Sequence, residues 1–158
     1  MKRITVGCFL LVTSLIGDSA LRADQIDLAA IVTKSDAETA LGEPVRNRDH
    51  RTKGGKGDFY ESECSYESTR SDKFLMLDLV TAPMNVVGAM FEAAGSLDQN
   101  TVKVEGVGDR TSFYQSSGMF MLNFLKGNTF VAIGIHGVPL QAALQQERAI
   151  ARKILAHM

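Results

Sequence analysis

Side chains that bind metals or act as nucleophiles are scarce in this chain. Its 158 residues include two cysteines, three histidines and no tryptophan. These are too few for a Cys/His zinc cluster, a haem attachment site or an iron–sulfur centre. The chain has neither a serine in a glycine elbow nor an H-E-x-x-H pair. The sequence therefore predicts no catalytic residue, no metal and no cofactor.

Cys64 and His136 are the side chains on which an enzyme would have to depend. Nucleophilic catalysis needs a serine or cysteine beside a base and an orienting partner. Cys64 lies on the less charged side of the alternating run YESECSYES, which predicts a buried cysteine in a strand. His136 ends a predicted strand just before a helix, where both active-site and ordinary loop histidines occur. The alternative function is therefore an envelope hydrolase or a thiol-redox enzyme that uses His136 or Cys64.

Two further polar residues have structural explanations. Asp78 alternates with Leu77 and Leu79, which predicts that its side chain points to the solvated face of a strand. His157 lies at the C-terminal end of a predicted helix, where it complements the helix dipole. We predict no catalytic role for either.

Two glycine-rich segments resemble nucleotide-binding motifs only in part. KGGKG at residues 53–57 offers backbone amides and lysines, but Asp58 follows where a P-loop has its lysine. GVGDRT at 106–111 lacks the third glycine of a dinucleotide fingerprint and precedes a strand. We expect a turn there. Residues 46–58, with six bases and no apolar side chain, predict a mobile basic loop that contacts an anionic surface weakly.

Methionine and phenylalanine side chains are the candidates for an apolar ligand pocket. Methionine adapts its shape to irregular partners, although the same residues also suit a core. The set comprises Met76, Met84, Met90, Met119, Met121, Phe113, Phe120, Phe124 and Phe130. Residues 118–125 are apolar on both sides of a predicted strand. We expect one side to meet a helix and the other to meet a second layer or a partner.

Residues 1–23, MKRITVGCFLLVTSLIGDSALRA, have the pattern of a secretory signal peptide. Two bases precede an apolar run of about 12 residues, whereas a membrane span needs about 20. Cys8 stands before this run, unlike a lipid-attachment cysteine. Cleavage after Ala23 would leave one domain over residues 24–158, periplasmic or secreted, with Cys64 as its single cysteine. We expect no stable transmembrane anchor.

Composition and charge are those of one ordinary domain. The chain is 45% hydrophobic and 22% charged, and its net charge is -1. Without the signal peptide it holds 14 bases against 17 acids. Neither balance provides the basic field that attracts nucleic acid, which we exclude as a partner.

Helix and strand signals alternate along the chain. A helical turn is predicted at 26–32, followed by helices at 35–41, 83–95 and 140–158 and by strands at 58–68, 73–81, 100–107, 110–116, 118–125 and 129–136. A capping box between Ser35 and Glu38 starts the first helix, and Gly42 ends it. Gly127-Asn128 predicts a tight hairpin. The fold class is therefore α+β, an antiparallel sheet of five to six strands in helix-strands-helix-strands-helix order, covered by helices.

Three segments together resemble a family of small proteins. They are VTKSDAETALGEPV at 32–45, Cys64-Ser65-Tyr66, and VEGVGD at 104–109 before paired strands. They resemble uncharacterised small exported bacterial domains, often lipoproteins, with a PsbP-like α+β sandwich. The resemblance implies a fold and an exported location, and it brings no catalytic residues with it.

The sequence thus favours an exported, non-enzymatic domain in the cell envelope. It would bind a protein, a lipid or a small apolar ligand. The observations that would support this are a cavity or an exposed apolar patch beside the methionines.

Overall fold

The structure, a computed structural model, describes residues 25–54, 58–96 and 104–158. The predicted signal peptide and Cys8 lie outside the described residues. The elements in chain order are α1 (Leu28–Ile31), α2 (Lys34–Leu41), β1 (Val45–Gly54), β2 (Tyr60–Ser68), β3 (Phe74–Thr81), α3 (Met84–Gly95), β4 (Arg110–Ser116), β5 (Met119–Lys126), β6 (Thr129–His136) and α4 (Leu140–Leu155). This order confirms the α+β prediction.

All six strands form one antiparallel sheet in the order β1-β2-β3-β6-β5-β4. Two three-stranded meanders meet where β3 pairs with β6, and α3 connects β3 to the far edge strand β4. The β5–β6 connection consists of two residues with Gly127 at φ 53°, as the sequence predicted. β3 and β5 therefore lie on either side of β6. This arrangement brings residues 76, 119, 121 and 134 close together.

The main core lies on one face of the sheet, beneath α1, α2 and α4. The β3 side chains Leu75, Leu77 and Leu79 point to this face and are at most 2% exposed. On α4, Ala143, Ala151 and Ile154 pack against it with no more than trace exposure. The spacing of these residues is that of a helix face, so burial of this stripe holds α4 on the sheet.

The second face of the sheet is covered over only part of its area. Among the described helices, α3 alone packs there, where Val87 and Phe91 contact a smaller core with Val80 and Phe130. Both sides of β5 are thus covered, as predicted. Toward the other end of the strands, side chains on this face remain partly exposed: Phe74, Met76, Asp78, Met119 and His136. We call this region the open half.

β1 corrects the prediction of a mobile basic loop at 46–58. Residues 45–54 form an edge strand paired with β2, with one shift of register between Asn47 and Asp49, and residues 55–57 lie outside the described residues. Its bases pair with acids of β2: Arg46 and Arg48 with Glu67, Arg51 with Glu63, and Lys53 with Glu61. Backbone pairing and cross-strand ion pairs therefore replace the apolar pattern that sequence reasoning looked for. A charged edge of this kind also resists pairing with other chains.

Two smaller predictions were also wrong. The capping box of α2 joins Thr33 and Asp36, because the helix begins two residues earlier than the Ser35–Glu38 pattern implied. Residues 104–107 of the predicted strand at 100–107 form turns, and residues 100–103 lie outside the described residues. Gly42 does end α2, with φ 68°.

Within the described residues, no helix combines the length and the apolar character that crossing a membrane requires.

Candidate functional site

A cavity of about 310 Å³ opens on the second face, over the first three strands of the sheet. Phe74 and Met76 form its apolar wall, and Arg48, Asp49, Glu63 and Asp78 surround it with charge. Cys64 and Leu77 also line it, although their side chains lie in the main core on the opposite face. Small-molecule sites in proteins begin at about this volume.

Asp78 is the acid of this cavity that is only partly paired. It points away from Leu77 and Leu79, as predicted, but the face it occupies is only half solvated, which corrects the expectation of an exposed carboxylate. Its Oδ1 atom is buried and accepts no hydrogen bond. Burial and the negative charges of Glu63 and Glu61 raise the pKa of Asp78 to about 6, although the Leu79 backbone and the charge of Arg51 act in the opposite direction. Near neutral pH the cavity therefore holds a negative charge with one oxygen that lacks a hydrogen bond.

Glu61, Glu63 and Asp78 offer oxygens that all lie within 4.8 Å of one another. Hard cations such as Ca²⁺ bind oxygen clusters of this kind. However, Arg51 contacts Glu63 and Lys53 lies 3.8 Å from Glu61, so two of the three carboxylates already face a base. Asp78 is left as the acid whose charge an incoming group would neutralise.

Cys64 has neighbours that resemble a catalytic triad in residue type. The register places His50 opposite Cys64, and His50 Nε2 lies 2.9 Å from Asp27 Oδ1. The thiol, however, is only 3% exposed, and burial together with the charge of Asp27 raises its pKa to about 12. An activated cysteine has a lowered pKa and access to substrate. The geometry therefore argues against Cys64 as a nucleophile.

His136 lies in the open half, at the end of β6. Its Nδ1 atom is 3.1 Å from the carbonyl oxygen of Gly118, and its ring stacks on Phe74 with centroids 5.0 Å apart. Since a carbonyl only accepts hydrogen bonds, Nδ1 carries the proton in the neutral ring and Nε2 keeps its lone pair. The nearest acid is Asp72, 3.6 Å from Nε2. No serine or cysteine nucleophile contacts the ring within the described part of the chain.

The methionines and phenylalanines separate into two groups. Phe113, Phe124 and Phe130 are core residues, Phe120 packs against the main core, and Met90 on α3 packs against the smaller core. Met84 is 57% exposed at the start of α3. The remaining three, Met76, Met119 and Met121, converge over the backbone of Gly134 on the second face. Of the predicted set, Met76 lines the cavity beside Asp78, and Phe113 lines a second cavity of about 420 Å³ with Leu140 and Leu144.

The other residues considered from sequence have structural roles. Asp109 accepts from Lys126 Nζ and from the Gly127 amide, which fixes the predicted turn against the β5–β6 hairpin. These hydrogen bonds lower the pKa of Asp109. His157 contacts the Lys153 carbonyl at the end of α4.

Sequence reasoning missed Glu147, a carboxylic acid inside the main core. Its side chain is 0% exposed and neither oxygen has a hydrogen bond, and burial raises its pKa to about 9. The signal was present in the spacing, since Glu147 lies four residues from both Ala143 and Ala151 in the apolar stripe of α4.

Comparison with known proteins gives no match: no profile of a protein family, no curated protein and no solved structure is significantly similar to this chain. The resemblance to PsbP-like exported domains therefore stays a prediction.

Proposed function

We propose that the chain is an exported, non-enzymatic binding domain of the cell envelope, and that its cavity takes a small molecule with an apolar body and a positively charged end. The pattern of residues 1–23 supports export. The observation that carries the binding proposal is the Asp78 carboxyl beside Phe74 and Met76, whose buried Oδ1 accepts no hydrogen bond.

The charge of the cavity determines which end of a ligand fits. Holding an unpaired carboxylate out of water is unfavourable, and a cation that hydrogen-bonds to it removes that penalty. Arg51 already faces Glu63, and Arg48 on the cavity wall already faces Glu67. An anionic ligand would therefore add a negative charge next to Asp78 and Asp49. The cavity therefore favours an ammonium or similar group over a carboxylate.

The apolar wall determines the rest of the ligand. Phe74 and Met76 are both partly exposed, and a ligand that covers them removes apolar surface from water. A short alkyl chain fits a volume of about 310 Å³, whereas a two-chain lipid would extend well outside it. A lipid or a protein is for this reason the weaker candidate.

The test uses three probes that share one alkyl chain: octylammonium, octanol and octanoate. Isothermal titration calorimetry on the domain without residues 1–23 should give the order octylammonium, then octanol, with octanoate weakest. In Asp78→Asn the ammonium should lose its advantage over the alcohol, whereas Asp58→Asn, an exposed aspartate outside the cavity, should behave as wild type. Equal affinity for octylammonium and octanoate would refute the proposal.

Export has a separate test. The protein recovered from the native envelope should lack its first residues, and N-terminal sequencing should start near Asp24. Recovery of the full-length chain from the cytoplasm would refute this part of the proposal.

A further inference from the structure

The open half contains a second group of side chains that the cavity does not explain. The Sδ atoms of Met121 and Met119 lie 2.8 and 2.9 Å from the point that a Cβ on Gly134 would occupy. The Cγ atom of Met76, which is bonded to its sulfur, lies 2.9 Å from the same point. Three thioether side chains, one from β3 and two from β5, thus converge over β6, the strand between them.

Gly134 makes this convergence possible. It lies inside β6, a central strand whose other residues carry side chains that pack, and a glycine in such a position weakens a strand. No positive φ requires it there. The missing side chain leaves space above the Cα of Gly134 for the two sulfur atoms, and a side chain of any other residue would fill that space. A glycine inside a strand often marks a close approach of this kind.

His136 adds a nitrogen to the same region. It is the register partner of Met119 on β5 and lies two residues from Gly134 on the same face of β6. Its Nδ1–H is held by the Gly118 carbonyl, and stacking on Phe74 fixes the ring plane. Many histidines that bind metals have one nitrogen held by a backbone carbonyl, which leaves the other for the ion. In His136 that other nitrogen, Nε2, lies 3.6 Å from Asp72, so binding an ion beside the methionines requires it to turn away from this carboxylate.

We propose that Met76, Met119, Met121 and His136 form a binding site for Cu(I). Thioether sulfur is a soft, uncharged ligand that selects Cu(I), whereas Zn²⁺, Mg²⁺ and Ca²⁺ prefer sites with thiolate, imidazole or carboxylate ligands. None of the four side chains is an acid, so the site provides no negative charge for a divalent ion. Asp72 and Asp78 lie at its border and are not required as ligands.

The partial exposure of the cluster supports a binding role over simple packing. Met76, Met119 and His136 are only partly buried, and Met121 is 8% exposed. Met121 belongs to the smaller core beneath α3 and Met119 packs against it, whereas Met76 also borders the cavity. Binding of an ion therefore needs rotation of these flexible thioether side chains.

The site is independent of the proposed alkylammonium cavity, although Met76 borders both. Loss of the Asp78 carboxylate should abolish the ammonium preference and leave Cu(I) binding intact. Substitution of Met119, which does not line the cavity, should have the opposite effect. Each of the two proposals can therefore be refuted without refuting the other.

The experiment is a titration with Cu(I) under anaerobic conditions, in competition with a chromophoric Cu(I) chelator of known affinity. We expect one ion per chain. Met119→Leu and Met121→Leu preserve volume and remove one sulfur each, and each should weaken binding at least about tenfold. The matched control is Met84→Leu on the exposed start of α3, which should bind as wild type.

A second measurement identifies the ligands without relying on variants. Titration with Ag(I), which has the charge and softness of Cu(I), should shift the methyl NMR signals of Met76, Met119 and Met121. The signals of Met84 and Met158 should stay in place. Absence of Cu(I) competition, or equal shifts at the control methionines, would overturn the proposal.

Discussion

Glu147 should make the stability of this domain depend on pH in an unusual direction. Its carboxyl is buried among the apolar residues of α4 and has a pKa of about 9 in the folded protein, against 4.5 for an exposed glutamate. Between these two values the folded state binds a proton that the unfolded state has lost. Unfolding therefore becomes more favourable as the pH rises through this interval, and the folded state is most stable below it.

The size of the effect follows from the two pKa values. Each pH unit in the interval lowers the free energy of unfolding by about 1.4 kcal/mol, so that the loss at pH 7 is about 3 kcal/mol. That is a large part of the stability of an ordinary domain. Glu147→Gln keeps the shape of the protonated acid and cannot ionise. It should remove this loss.

The assay is urea unfolding of wild type and Glu147→Gln between pH 6 and pH 8. The variant should gain about 3 kcal/mol relative to wild type across these two pH units. Glu105→Gln, at an exposed position, is the matched control and should follow the wild-type profile. Histidine titration cancels in the comparison, because both proteins contain the same histidines. Parallel profiles for wild type and Glu147→Gln would refute the assignment of Glu147 as a protonated core residue.

Three further predictions concern turns and the cavity. Gly108→Ala should lower the free energy of unfolding by about 2 kcal/mol more than Gly106→Ala in urea melts. Both glycines have positive φ, but only a Cβ at position 108 would meet the Leu125 carbonyl oxygen, at 2.5 Å. Equal losses in the two variants would contradict this. Ser117→Asn should raise the melting temperature slightly, since Ser117 has φ 51° and asparagine tolerates that conformation better; a decrease would contradict it. Octylammonium affinity should rise from pH 5 to pH 7 as Asp78 ionises, and a flat calorimetric profile would contradict that.

The alternating and capped segments of the fold could be predicted from sequence. β2 shows a strict burial alternation that matches YESECSYES, and the two-residue turn at Gly127 follows from glycine at positive φ. These features depend on neighbours within a few residues. Local pattern was therefore sufficient for them.

β1 could not be predicted, because its strand conformation depends on a partner that follows later in the chain. After Val45 the strand has no apolar side chain to mark a buried face, and its ion pairs join Arg46 to Glu67 and Arg51 to Glu63. A run of charged residues and glycines has the same local pattern in a loop and in an edge strand. Its pairing with β2 is what makes this segment a strand.

The candidate sites were also beyond local reasoning. Met76 lies more than 40 residues from Met119, and their meeting depends on β6 entering the sheet between β3 and β5. Counting cysteines and histidines gave no metal site, because that count omits thioether sulfur. The unpaired state of Asp78 likewise depends on how far α3 extends over the sheet.

The most direct test of the binding account is calorimetry of octylammonium and octanoate with wild type and Asp78→Asn at pH 7. The account predicts a clear preference of wild type for the ammonium and none in the variant, with the fold unchanged by circular dichroism. A wild-type domain that binds both probes equally, or a variant that keeps the preference, would contradict the central claim that the unpaired Asp78 carboxyl selects the ligand.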